Sequence, residues 1–231
     1  MLRNYSPAPN FVAQSTSIIL MRPADPHAQL AEIRAIMERS TRFISLSGLS
    51  GVAVGLVALA GAGAAHLYLA QHFKARFYLW VLRESGLARE KALPYLLALA
   101  VGMMATAVLV AAFFTLRRTR REGLRTLWTA PARRLVLAIL IPLAAGGFFC
   151  VKLYLLGAVE LVAPGLLIFY GLALLNGSKY TLDEVRYLGL TLVGLGLLGL
   201  ALPGYGLGLF ALGFGVGHIG YGGLMYWRYE K

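Results

Sequence analysis

Residues 117–134 read RRTRREGLRTLWTAPARR, and this arginine-rich stretch decides how the rest of the chain is threaded. It separates two uncharged apolar runs, residues 92–116 and 135–151. Such runs are candidate membrane spans, because about 20 apolar residues at ~1.5 Å each cross a hydrocarbon core of ~30 Å. By the positive-inside rule, a short arginine-rich loop lies on the cytoplasmic side. The topology-determining residues are then Arg117, Arg118, Arg120, Arg121 and Arg125, with Arg133 and Arg134 close behind.

The composition is that of a polytopic membrane protein. Of 231 residues, 58% are hydrophobic and only 14% are charged, whereas about a quarter are charged in soluble domains. This length allows roughly six spans and no large soluble domain. The net charge of +12 lies at the ends of apolar runs, which indicates topology control and anionic headgroups as the cause. We therefore expect the lipid bilayer as a partner and no nucleic acid.

The runs and their breaks predict an all-α bundle of six transmembrane helices. A cytoplasmic segment, residues 1–41, precedes a transmembrane domain, residues 42–231. With both termini inside, 16 of the 22 Lys and Arg residues fall in cytoplasmic segments, as the positive-inside rule requires. The spans are expected at about 43–73, 92–116, the end of the arginine loop to 156, 161–175, 182–202 and 205–227.

The segments that flank the first span have amphipathic character. Leu30, Ile33 and Met37 recur at helical spacing after Asp25-Pro26, which predicts an amphipathic helix at the cytoplasmic interface. A plain solvated lead-in helix is the alternative. Residues 74–91 mix aromatic and charged side chains, as is typical of an outer-interface helix. No cleavage site follows an apolar core near the start, so we expect no cleaved signal peptide.

Local signals mark the ends of later spans. Pro94 is expected in the first turn of the second span, where a missing N–H is tolerated. Thr181 and Glu184 have the spacing of a capping box for the fifth span. Pro203-Gly204 predicts a tight outer turn before the sixth.

Glycine spacing predicts close helix packing. Gly51 and Gly55 form a GxxxG pattern in the first span, and such a face lets another helix approach closely. Glycines also recur throughout the fifth and sixth spans. We expect these two spans to form a tightly packed hairpin.

Motifs for enzymatic chemistry are missing from the sequence. It contains no P-loop, no dinucleotide glycine fingerprint after a strand, and no HExxH, CxxC or GxSxG motif. Cys150 is the only cysteine, which excludes an intrachain disulfide and a cysteine metal cluster. We expect no enzymatic activity, no cofactor and no metal.

His218 is the most notable polar residue of the spans. It lies ten residues before Arg228, or ~15 Å of helix, which places it near the bilayer midplane. Tyr221 follows one turn later as a possible companion. A polar residue at this depth is a candidate for proton-linked or ligand-linked function. The alternative is that the imidazole simply forms a hydrogen bond within the bundle.

Lys152 and Glu160 form a second candidate pair. Lys152 is far enough along the third span to reach the outer interface, and Glu160 lies across the predicted outer turn. They form either an interfacial ion pair or a solute-contacting pair at the mouth of a cavity. Tyr170 and Asn176 are polar but isolated in the sequence, and they support no interpretation.

Three segments carry a family resemblance: residues 33–51 (IRAIMERSTRFISLSGLSG), 176–189 (NGSKYTLDEVRYLG) and 213–230 (GFGVGHIGYGGLMYWRYE). They are similar to stretches of a group of bacterial membrane proteins without an established activity. The resemblance implies a location in the bacterial inner membrane and adds no site residues. In composition, the last hairpin also resembles six-span acid-resistance membrane proteins.

Two functions are compatible with these observations. The first is a non-enzymatic membrane module that binds a partner or transmits a signal, either as a homo-oligomer or with a separate membrane chain. The second is a small-solute or proton-linked transporter or channel that uses His218, Tyr221, Lys152 and Glu160.

Overall fold

The computed structural model describes residues 47–73, 86–121 and 128–231. Six helices in these ranges are long and apolar enough to cross a membrane, and the described residues contain no β-strand. This confirms the predicted all-α bundle of six transmembrane helices. They are α1 (Gly48–Phe73), α2 (Gly86–Arg121), α3 (Ala130–Leu155), α4 (Val162–Gly177), α5 (Asp183–Ala201) and α6 (Gly206–Tyr229).

Some predicted features lie outside the described residues. They are the segment 1–41 with its amphipathic helix, residues 74–85 of the aromatic segment, and Arg125. The division of the chain into residues 1–41 and 42–231 therefore stays a prediction. We use the name arginine end for the end of the bundle where α2 finishes and α3 begins.

Helix α2 extends beyond both predicted boundaries of the second span. It begins at Gly86, so Pro94 lies inside the helix and not in its first turn as predicted. At its other end, Arg117, Arg118, Arg120 and Arg121 are helical, whereas the sequence suggested a loop. Basic side chains favour the last turn of a helix because they complement its macrodipole.

The connections near α5 confirm one prediction and contradict another. Tyr205 N–H donates to the Leu202 carbonyl at 3.3 Å, and Gly204 has φ +93°. Proline second and a positive-φ glycine third are typical of a type II turn, so the Pro203-Gly204 turn is confirmed. The capping box is wrong, because the N-cap residue of α5 is Leu182 and makes no side-chain capping bond.

Helix α1 packs closely against α6, as its GxxxG pattern allows. A Cβ added to Gly51 would lie 3.0 Å from Gly222 Cα, and one added to Gly55 would lie 2.6 Å from the Gly215 carbonyl oxygen. Backbones this close leave no room for a side chain larger than hydrogen. Glycine is therefore required where α1 and α6 cross.

Helices α4 and α5 form the second close pair. A Cβ at Gly171 would lie 2.7 Å from the Gly189 carbonyl oxygen, and one at Gly189 would lie 2.9 Å from the Gly171 carbonyl oxygen. The predicted hairpin of spans five and six is confirmed only in part: α5 and α6 contact each other, but the closest backbone contacts of α5 are with α4 and those of α6 are with α1. A small-residue face permits close approach but does not specify which helix approaches.

These contacts place the helices in a defined order. Helix α2 packs against α1, α1 against α6, α6 against α4 and α5, and α4 also against α3. In the most apolar part of α2 no residue is buried. Helix α2 therefore lies at the edge of the bundle, with α1 as its main neighbour.

Candidate functional site

A π-helical segment interrupts α6 halfway along its length. Residues Ala211–Gly217 are π-helical, and the α-helix resumes at His218. Alternating glycines lower the side-chain crowding of this wider turn. Single π-turns within α-helices are frequent at functional sites, so this segment and His218 form the first candidate site.

His218 is buried, with only 5% of its surface exposed. Its Nδ1 lies 3.4 Å from the carbonyl oxygen of Gly213, five residues earlier. A carbonyl can only accept, so this contact assigns the ring hydrogen to Nδ1. The backbone N–H of His218 donates to Gly215. The imidazole N–H therefore donates to the Gly213 carbonyl oxygen. In a continued π-helix, that oxygen would accept from the backbone N–H of His218.

The second ring nitrogen of His218 has a partner on α4. Tyr170 Oη lies 3.0 Å from Nε2, and with the hydrogen on Nδ1 the tyrosine hydroxyl is the donor. Phe214 stacks on Tyr170 with ring centroids 4.8 Å apart. A neutral imidazole thus has both nitrogens paired inside the bundle. The partner that the sequence left uninterpreted, Tyr170, is the one that contacts His218.

Tyr221 makes a different contact from the one expected. Its hydroxyl lies 3.3 Å from Thr191 Oγ1 on α5, and the Thr191 hydroxyl also donates to the Tyr187 carbonyl at 3.0 Å. Tyr221 therefore links α6 to α5, one turn away from the His218–Tyr170 pair.

The structure gives no ion pair between Lys152 and Glu160. Lys152 is exposed in the last turn of α3. Glu160 is half-buried in a short 3₁₀ turn, Val159–Leu161, which precedes α4. Asn176, also left uninterpreted, donates its side-chain amide to the Ala138 carbonyl at 2.9 Å. That bond ties α4 to α3 between apolar faces.

Glu230 connects three helices at the arginine end. Its carboxylate accepts from Ser47 Oγ at 3.1 Å and from the backbone N–H of Gly48. It thereby satisfies a free amide at the N-terminus of α1. Arg118 Nη1 lies 3.4 Å from the same carboxylate, and the two side chains are 13% and 15% exposed. One of the arginines predicted to determine the topology therefore also pairs with a carboxylate inside the bundle.

Glu184 forms a second polar junction at this end. It is buried at the start of α5 and accepts from Arg228 Nη1 at 3.0 Å and from Tyr229 Oη at 3.0 Å. The carboxylate predicted to cap its own helix thus binds the end of α6. Nothing in the local sequence around Glu184 identifies these partners, because they are more than forty residues away in the chain.

An open groove separates parts of α1 and α2. Its volume is about 440 Å³, and small residues dominate its walls. A Cβ added to Gly102 would meet nothing within 4 Å, so the α2 wall is uncovered at that point. The lining residues are Val57, Ala60, Gly61 and Ala64 of α1 with Ala98, Leu99, Gly102, Met103 and Thr106 of α2.

Metal-ligand clusters are not found among the described residues, where no three His, Cys, Asp or Glu side chains converge. Cys150 is buried, with Sγ 3.7 Å from the Val162 carbonyl oxygen.

The apolar helices and the polar junctions between them define a multi-pass α-helical membrane protein. Comparison of the chain with protein-family models, with curated proteins and with solved structures finds no match.

Proposed function

We propose that this protein is a non-enzymatic membrane module that binds a membrane-spanning helix of another chain in the groove between α1 and α2. The observation that carries the proposal is the uncovered small-residue face of α2. Ala98, Gly102 and Thr106 follow each other at four-residue spacing and are exposed. Helices associate in membranes through such faces, because small residues allow close packing and lipid offers no competing hydrophobic drive.

The rest of the bundle supports this choice. The glycines at the α1–α6 and α4–α5 crossings are covered by the neighbouring helix, whereas Gly102 of α2 borders an open groove. The opposite wall contributes Ala60 and Ala64, again at four-residue spacing. A single helix lying along the groove would contact both rows.

Filling the groove tests the proposal. Gly102→Leu adds a side chain where the fold leaves space, so the chain is expected to fold and to lose its partner. Gly220→Leu on α6 is the matched control, because a Cβ there also meets nothing within 4 Å. A photo-crosslinking residue at position 106 in native membranes is expected to give a protein adduct that only Gly102→Leu removes.

The mass of the adduct identifies the partner class, since an adduct of twice the chain's mass indicates a second copy. An adduct that survives Gly102→Leu, or labelling of lipid alone, would reject the groove as a protein-binding site.

A second candidate function is a proton-linked or solute transporter, and the His218–Tyr170 pair beside the π-helical segment favours it. Its test is the accessibility of position 218. His218→Cys in a Cys150→Ala background is treated with membrane-permeant and impermeant thiol reagents. Labelling by the impermeant reagent requires a water-filled path to the bundle centre and supports transport. A folded, unlabelled variant rejects it.

We further propose the bacterial inner membrane as the location, with both termini in the cytoplasm. The distribution of Lys and Arg supports this orientation. Reporter fusions test it: a fluorescent protein after residue 231 is expected to fluoresce, and alkaline phosphatase inserted at residues 203–204 is expected to be active. The reverse pattern would invert the topology.

A further inference from the structure

Five arginines at the arginine end are not used by the fold. Their neighbour Arg118 pairs with Glu230, whereas the side chains of these five arginines are exposed. Within the part of the chain that the structure describes, they form no ion pair. They are Arg117, Arg120 and Arg121 of α2 with Arg133 and Arg134 of α3.

The described neighbours of these arginines include like charges and the positive end of a helix dipole. Arg117 and Arg121 are four residues apart on one helix face, where like charges repel. Arg133 and Arg134 lie in the first turns of α3, whose N-terminus carries the positive end of the helix dipole. No acidic residue lies in the first turn of that helix. An anion bound at either helix end would offset the effect there.

Exposed apolar surface continues directly from the arginines into the membrane. Phe113 and Leu116 on α2, and Val136 and Leu137 on α3, are exposed. Helix α2 packs chiefly on α1, and α3 packs chiefly on α4. The exposed faces of α2 and α3 therefore do not pack against each other. Trp128, 65% exposed between the two helices, is a residue type that favours the membrane interface.

We propose that the arginine end binds anionic phospholipids, whose phosphates are held by the exposed arginines of α2 and of α3 and whose acyl chains lie on the exposed apolar face beside each group. Arginine suits this ligand, because its planar guanidinium binds phosphate oxygens in a bidentate manner. A soluble anion would neutralise the arginines but would not contact the exposed apolar residues beside them. The inference does not depend on the α1–α2 groove or on its partner.

The test compares lipid binding by two variants of equal charge. Arg117→Gln/Arg133→Gln removes one arginine from each group. Lys91→Gln/Lys152→Gln removes two exposed charges at the other end of the bundle, outside the proposed site. Binding of phosphatidylglycerol and of phosphatidylcholine to the full chain is measured by native mass spectrometry from detergent micelles.

The wild-type chain is expected to prefer phosphatidylglycerol, and Arg117→Gln/Arg133→Gln to weaken that binding by about 30-fold, while the control changes it little. Equal losses in both variants, or no preference in the wild type, would overturn the proposal. Full competition by glycerol 3-phosphate would show that a soluble anion suffices and would also overturn it. If Arg117→Gln/Arg133→Gln does not fold, Arg121→Gln/Arg134→Gln takes its place with the same expected loss.

Discussion

Replacing Gly222 with alanine places a methyl group in the backbone contact between α1 and α6. Its Cβ would lie 2.6 Å from the Val52 amide nitrogen and 2.7 Å from the Gly48 carbonyl oxygen. Backbone atoms of a helix cannot rotate away from a clash. The two helices must therefore separate by about 1 Å to reach ordinary contact distances of ~3.5 Å.

The expected cost follows from two opposing effects. Overpacking destabilises by about 1–3 kcal/mol, and alanine regains about 0.5–1 kcal/mol of helix propensity over glycine. Gly220→Ala and Gly223→Ala are matched controls, because a Cβ at either position meets nothing within 4 Å. The propensity gain cancels in the comparison, so the overpacking cost alone separates Gly222→Ala from its controls. At about 2–4 °C per kcal/mol, the Tm difference is ~2–12 °C.

The measurement is thermal unfolding of the full chain in detergent micelles, followed by circular dichroism. Gly222→Ala is expected to unfold below the wild type, and both controls at or slightly above it. If all three variants unfold at the same temperature, the α1 and α6 backbones are not in contact and the packing argument is refuted.

Four other substitutions, at three positions, are measured in the same way. Tyr170→Phe is expected to cost about 1–3 kcal/mol, because it leaves His218 Nε2 buried without its donor; wild-type stability would mean that the pair does not form. Asn176→Ala loses the bond to the Ala138 carbonyl and is expected to cost about 0.6–1.7 kcal/mol, and an unchanged Tm would contradict this. Glu230→Ala removes the cap of α1 and is expected to cost about 0.5–2 kcal/mol. Glu230→Gln keeps an acceptor and is expected to cost less, so identical losses would contradict capping.

The spans were predictable because hydrocarbon imposes a length and a polarity on each helix separately. The uncharged run before Arg117 identifies α2, and the turn at Gly204 follows from glycine's access to positive φ. Neighbours were not predictable in this way. Gly189 lies in a small-residue face whether α4 or α6 covers it, and only the packing of the whole bundle decides between them.

The candidate site was predictable in part for the same reason. The depth of His218 follows from counting residues back from Arg228, but its partner Tyr170 lies 48 residues away in the chain on another helix. Glu184 has correct capping-box spacing, yet a long-range bond to Arg228 takes its place. Sequence spacing suggests partners only within one helix. For His218 and Glu184, the observed partners lie on other helices.

Contacts at the π-helical segment and contacts at the end of α6 each hold the register of this helix. Glu184 and Ser47 bind the residues at its end, while Gly213 packs among leucines of α4 and α5. We infer that the wider turn reconciles these two registers and that His218 stabilises it through the Gly213 carbonyl. His218→Phe removes this bond as well as the one to Tyr170, so it is expected to cost more stability than Tyr170→Phe. Equal losses in thermal unfolding would show that the imidazole does not support the π-helical segment.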